Sequence, residues 1–322
     1  GLVERRVVRV VTPGTVMEPS LLEQGANNYL AAVLVRGEGA GLAYVDITTG
    51  EFATTQVSLE ELLLEMERLA PSEVLLPQGY QLPSAVLAPF VTPVEEELFR
   101  PDEAEATLRE HFGVATLEAY GCQGMPLAIG VAGALVAYLR RTQRDGLERL
   151  TGLHTYSPRA YMLLDHQTRR NLELFQGGRL GSVSQSLLAN LDLTGTPMGG
   201  RLLRRWLGQP LLDLAQLEHR QDAVEALFKE HIRREEIGSA LKSIPDMERL
   251  LGRIATGAAI PREVVSLKDG LVASGRLKAL VEGISGCPSW LLADLDPCES
   301  VGFLVERALE ESPASLPGEG GI

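Results

Sequence analysis

The sequence predicts two domains of different class within 322 residues: a mixed α/β domain, then an irregular all-helical one. Three observations carry this. Three strand-like runs crowd together between Tyr29 and Val57, joined by short connections that suit antiparallel pairing. Helices and short strands then alternate as far as Thr142. After Tyr156-Ser157-Pro158 nearly every apolar residue recurs at helical spacing, with no repeat of constant period.

Residues 1–28 read as a lead-in, with Val7, Val8, Val10 and Val11 as a short strand ended by Thr12-Pro13-Gly14. The runs Tyr29–Val35, Leu42–Thr48 and Glu51–Val57 follow, separated by Arg36–Gly41 and Thr49-Gly50. Ser58 with Glu61 three residues on forms a capping box. Leu62, Leu63, Met66 and Leu69 give that helix its apolar face, and Pro71 ends it. Glu73–Leu76 is a short buried strand, with Glu73 at an edge. A weaker segment with Leu82, Val86 and Leu87 precedes a strand at Phe90–Val94. Helices run over Pro101–Phe112 and Pro126–Thr142. This order fits a mixed sheet with helices on its faces, of the ribonuclease H-like type, over residues 25–147.

Residues 148–157 read as a linker and 158–322 as the helical domain. Leu164, Thr168, Leu172 and Phe175 share one stripe of a helix, with Asp165, Arg169 and Glu173 as a charge row, until Gly177-Gly178 stops it. Thr196-Pro197 opens the next helix and Gly208 with Pro210 closes it. Met198, Leu202, Leu203, Trp206 and Leu207 face its core, while Arg201, Arg204 and Arg205 face away. Asp213 caps a third helix to about Phe228; shorter ones cover Pro245–Ile254, Pro261–Ile284 and Cys298–Glu311. The tail from Ser312 reads as a loop.

Mean hydropathy near zero and the lack of a long apolar run predict a cytoplasmic protein without a membrane span. A net charge of −13 opposes whole-surface attraction to nucleic acid, though not a local basic face. Cys122, Cys287 and Cys298 are too scattered for a disulfide framework or a metal site. No Gly-Lys dipeptide exists, so no phosphate loop is encoded, and no hydrolase or kinase signature is present. No catalytic, cofactor-binding or metal-ligating residue is therefore assigned.

Asp46, in Asp46-Ile47-Thr48-Thr49-Gly50, is the sharpest enzymatic candidate, as a metal ligand of a ribonuclease H-like nuclease. Two-metal chemistry needs three or four converging carboxylates, and Glu73 offers little help, so a turn-capping role is favoured. Arg201, Arg204 and Arg205, with Arg169, Arg170 and Arg179, could hold phosphates, against a solvated helix face as the favoured reading. Glu95-Glu96-Glu97 and Asp102–His111 form an exposed acidic face.

From Leu163 to Asp213 the residues become specific. Asp165-His166-Gln167-Thr168-Arg169-Arg170-Asn171-Leu172-Glu173-Leu174, Thr196-Pro197-Met198-Gly199-Gly200-Arg201-Leu202-Leu203-Arg204-Arg205-Trp206-Leu207 and Pro210-Leu211-Leu212-Asp213 resemble the core, or lever, region of bacterial MutS mismatch-repair proteins. Arg220–Val224 and Asp246–Leu250 extend the likeness. Upstream, Arg9–Thr15, Asn28–Ala32, Asp46–Phe52 and Tyr138–Gln143 resemble that family's connector domain and the approach to it.

The resemblance implies a lead-in from a mismatch-reading domain at 1–24, a connector at 25–147 and a lever domain at 158–322, cut before the clamp. It implies a part that is not itself an enzyme, within a parent that binds mismatched double-stranded DNA, uses ATP and Mg, and dimerises through its ATPase domain. It also implies a MutL-facing connector helix bearing Glu103, Ala106, Thr107, Arg109 and Glu110. The family's glutamine pair corresponds to Ala106 and Thr107, a departure at the centre of that surface. A metal nuclease using Asp46 and a free-standing interaction module are the alternatives.

Overall fold

The computed structural model describes residues 10–82, 89–143, 147–178 and 181–313. They form two units: one reaches Arg159 and includes Leu163–Asn171, the other holds Ala160–Met162 and the chain from Leu172 onward.

The first unit is built on one sheet. Its strands are β1 (Leu30–Arg36), β2 (Gly39–Asp46), β3 (Glu51–Ser58), β4 (Glu73–Pro77), β5 (Val91–Val94) and β6 (His154–Thr155). Their order is β5-β4-β1-β2-β3-β6, with β1, β2 and β3 antiparallel, β4 parallel to β1, β5 to β4 and β6 to β3. Leu30, Ala32, Ala43, Val45 and Leu75 face one layer, with the helices α2 (Pro101–Phe112) and α3 (Pro126–Thr142). Ala31, Val33, Leu42, Tyr44 and Val74 face the other, under α1 (Leu59–Leu69). Burial on both faces explains why β1 reads as continuous apolar sequence rather than an alternation.

The Ser58 box forms as the spacing predicts: Glu61 N donates to Ser58 Oγ at 3.2 Å and Ser58 N to Glu61 Oε2 at 3.0 Å. Three details differ. The β1–β2 turn is only Gly37-Glu38, with Gly37 at φ +60°, because Arg36 already pairs with Gly39. Glu73 begins an interior strand, not an edge. The presumed linker 148–157 contains β6, which pairs with Ala53 and Thr54. The strand expected at Val7–Val11 and the segment with Val86 and Leu87 lie wholly or partly outside the described residues, as does most of the tail.

Helix α4 (His166–Asn171) also belongs to the first unit. It is much shorter than the stripe from Leu164 to Phe175 predicts. Glu173 takes φ +50°, its carbonyl accepts from Leu187 N at 2.8 Å, and its carboxylate accepts from Gly178 N at 2.8 Å. That backbone commitment replaces helical bonding. Leu174 is buried and Leu172 is exposed, so the expected stripe and charge row do not form.

The second unit is helical: α5 (Leu187–Leu191), α6 (Pro197–Gly208), α7 (Leu214–Lys229), α8 (His231–Leu241), α9 (Met247–Ala255), α10 (Pro261–Glu282) and α11 (Glu299–Ala308). Thr196 caps α6 through Gly199 N at 3.0 Å, and Asp213 caps α7 through Gln216 N at 3.1 Å. Gly208 stays helical; α6 ends because Gln209, ahead of Pro210, leaves the helical region at φ −135° and ψ 72°. The buried side of α6 carries Gly200, Arg201 and Gly208, while Leu202 and Trp206 are exposed, the reverse of the predicted orientation for Arg201, Leu202 and Trp206. Among the described residues no helix is long and apolar enough to cross a membrane.

Candidate partner-binding helix and the network behind it

Helix α2 starts at Pro101, where a missing N–H costs nothing, and closes at Gly113 in the left-handed conformation. Ala104 and Leu108 point inward. Glu103, Ala106, Arg109 and Glu110 are exposed and Thr107 is half-buried, its hydroxyl donating to Glu103 O at 2.9 Å. The five predicted contact residues therefore share one accessible helix, flanked by the exposed Asp102.

What fixes this helix is α3, and here sequence reading missed most of the polar chemistry. Gly133 lies so close to α2 that a Cβ there would stand 2.4 Å from Ala104 Cβ. At the end of α3, Arg140 Nη1 donates to Glu110 Oε2 at 2.6 Å and Nη2 to Thr107 O at 3.4 Å. Arg141 Nη1 donates to Glu95 Oε1 at 2.6 Å. Glu96 pairs with Arg36 and Glu97 with Arg100, so the acidic run is largely neutralised in place.

Tyr138 reaches the buried Glu73. That carboxylate accepts from Tyr138 OH (2.9 Å), Thr92 Oγ1 (2.6 Å), Gly14 N (3.0 Å) and Thr12 Oγ1. Four donors compensate a charge that water cannot reach. Burial pushes the Tyr138 phenol up to about 12, against the Thr12 hydroxyl and with the help of Glu73. The only hints in sequence are a glutamate opening an apolar strand and the Thr12-Pro13-Gly14 turn.

Asp46 is also buried, and its carboxylate is saturated. Oδ1 accepts from Thr48 N (2.9 Å) and Thr48 Oγ1 (2.6 Å), and Oδ2 from Asn27 Nδ2 (2.9 Å) and Asn28 N (3.2 Å). Its carbonyl accepts from Gly50 N at 2.8 Å, with Gly50 at φ +81°. These bonds make it a turn residue. Among the described residues no group of three or more His, Cys, Asp or Glu side chains could hold a metal ion.

A second buried cluster lies under α1. Arg68 donates to Glu65 through Nη2 (2.7 Å) and Nε (3.1 and 3.2 Å), and Tyr156 OH donates to Glu65 Oε2 at 2.7 Å. Burial opposes the charge on Arg68, but Glu65 outweighs it and keeps the guanidinium protonated. His166 Nδ1 sits 3.0 Å from Glu67 Oε1, and Arg169 donates to Leu164 O, so α4 rests beside this cluster.

Several of the arginines proposed for phosphates are engaged within their own unit. Arg201 is buried, donating to Asp246 (2.7 and 2.8 Å) and Glu248 (2.6 and 3.2 Å). Arg204 lies over the Phe175 ring at 5.1 Å, and Arg220 over Trp206 at 3.7 Å. Arg169 is spent in the first unit, and Arg179 lies outside the described residues.

Comparison with known proteins supplies the family. The model described as MutS domain II matches residues 28–152, and that described as MutS domain III matches residues 167–322. The chain belongs to the MutS family. DNA mismatch repair protein MutS of Dehalococcoides mccartyi strain CBDB1 is 39% identical over 325 residues, and its namesakes from Symbiobacterium thermophilum and Thermosynechococcus vestitus are each 42% identical over 333 and 339 residues. Each comparison takes in the whole of this chain but only 38%, 38% and 39% of the relative. In MutS terms, α2, α3 and Glu73 fall within domain II, and Arg201 with its carboxylates within domain III.

Proposed function

We propose that this chain is the connector and lever part of a DNA mismatch-repair ATPase, coupling mismatched-DNA binding to ATP binding and hydrolysis. The ordered match of MutS domains II and III along the chain carries this reading. Residues 1–24 are then the lead-in and 25–147 the connector, completed by β6 within 148–157, and 158–322 the lever domain apart from α4, which belongs with the first unit. The sheet order β5-β4-β1-β2-β3 with three antiparallel strands supports a ribonuclease H-like connector. Mismatched double-stranded DNA, ATP with Mg, and dimerisation belong to the parent protein's other domains. The parent is cytoplasmic.

A lever must carry motion without bending, and buried fixtures suit that task. Arg201 bridges α6 to the N-terminus of α9, where Asp246 also caps Arg249 N at 3.3 Å. The partner surface for MutL is α2. Charge reversal at Glu103, Arg109 and Glu110 is expected to weaken capture of purified MutL at least tenfold by the 322-residue chain, as for loss of a charged interface pair. Unchanged capture rejects α2 as the surface. The chain alone is expected neither to hydrolyse ATP nor to prefer a mismatch, and mismatch-selective binding by it would overturn the domain assignment.

A further inference from the structure

The residues Tyr138–Gln143 project from the last turn of α3 and its end in several directions, and each contact goes to a different neighbour. Toward the lead-in, Gln143 Nε2 donates to Val10 O at 2.7 Å, Val10 N donates to Thr142 O at 3.1 Å, and Gln143 is 4% exposed. Tyr138 joins Thr12 and Gly14 on the Glu73 carboxylate. Toward α2, Arg140 holds Glu110 and the carbonyl of Thr107, two of the candidate contact residues.

One direct grip on the lead-in at Val10, a second that shares Glu73 with Thr12 and Gly14, and one on α2 therefore leave from a single helical turn and its end. The helix is buried over most of its length between Ala128 and Leu139. It also has no slack against α2: a Cβ on Gly133 would stand 2.4 Å from Ala104 Cβ and 2.8 Å from Ala104 O. Small shifts of α3 must therefore move α2 rather than be absorbed between them. Glu110 is 74% exposed at its side chain, yet its carboxylate direction is set by Arg140.

We infer that Tyr138, Arg140 and Gln143 are positioning residues that tie the placement of the lead-in Val10–Thr15 to the outward face of α2. The inference rests on α2 being the partner-facing helix for its biological meaning, but not for its test. Motion imposed on the lead-in would reach the partner surface through α3, with Glu73 of β4 as one shared anchor.

Hydrogen exchange on the 322-residue chain tests this without any partner present. Gln143→Ala is expected to raise exchange at the Ala104–Val114 amides about tenfold, while β1 and β2 stay protected. Arg140→Met is expected to do the same, and the double variant to add nothing further, since both cut one path. Arg140→Lys should restore part of the protection, because an ammonium still reaches Glu110; simple loss of packing would not be rescued this way. Unchanged α2 exchange in Gln143→Ala, or fully additive effects in the double variant, would overturn the inference. Arg140 is one-third exposed, so its variants are tolerated even where Gln143→Ala does not fold; no rise in α2 exchange in Arg140→Met then overturns it alone. If α2 exchange responds while charge reversal leaves MutL capture intact, the tie stands and the partner assignment falls.

Discussion

The two units bury their residues in different ways. In the first, a sheet is covered on both faces, and Leu30, Leu42, Leu75, Leu108 and Leu135 have no solvent exposure. Its interior carboxylates, Asp46, Glu65 and Glu73, are each met by several donors. In the second, helices bury a narrow stripe and leave large apolar groups outside: Leu193 is 92% exposed, Ile232 75% and Phe228 74%. A sheet between two helical layers closes on itself, whereas these helices keep apolar faces available. The first unit is thus a finished body with a displayed helix, and the second is a frame held by a few buried ion pairs.

Both tryptophans, Trp206 and Trp290, lie in the second unit, and six of the seven tyrosines in the first. Intrinsic fluorescence therefore separates the two, and that makes the comparison testable. Glu73→Ala should break it most, leaving three hydroxyls and an amide without their acceptor at a cost of about 3–5 kcal/mol. Urea unfolding should show the tyrosine transition shifted far down and the tryptophan transition in place. Arg201→Met should do the converse at about 2–4 kcal/mol, stranding Asp246 and Glu248 and lowering only the tryptophan transition.

The effect of acid is smaller. Burial holds the His111 imidazole below its ordinary range, against the pull of the Leu150 carbonyl 2.8 Å away. The folded state thus prefers the neutral ring. Its contribution is present above the ordinary pKa near 6.5 and is lost as pH falls below it. The first unit should weaken as pH falls below about 6.5, and His111→Gln should flatten that slope. The smallest effect belongs to Phe228→Ser and Ile232→Ser, expected within about 0.5 kcal/mol of the parent by either probe. A large loss at these two positions would show that the second unit's surface is as closed as the first's.

Sequence reading found elements whose causes are local. Strand-like apolar runs and short turns gave β1 to β3, the Ser58–Glu61 pair gave α1, and Pro101 and Pro126 gave the starts of α2 and α3. It failed where a distant residue decides. Arg201 looks like a solvent-facing arginine until Asp246 and Glu248, far along the chain, arrive to neutralise it. The helix from Leu164 breaks early because Glu173 and Leu174 bond to Leu187 and Leu188, a pairing no periodicity announces. The α2 surface was legible only through family resemblance. Its fixtures at Tyr138, Arg140 and Gln143 could be quoted as a motif, but their purpose needed coordinates.

The route of the backbone between the units has a practical consequence. Residues up to Arg159 belong to the first, Ala160–Met162 to the second, Leu163–Asn171 to the first again, and the rest to the second. Met162 N donates to Pro210 O at 2.8 Å, and Tyr161 bridges Leu211, so those three residues form an edge of the second unit. Cutting the gene at residue 159 would strip the first unit of α4, and cutting at residue 171 would deprive the second of that edge. Subcloning either half by a single cut therefore damages one of them, and intact halves call for an internal splice that returns each segment to its own unit.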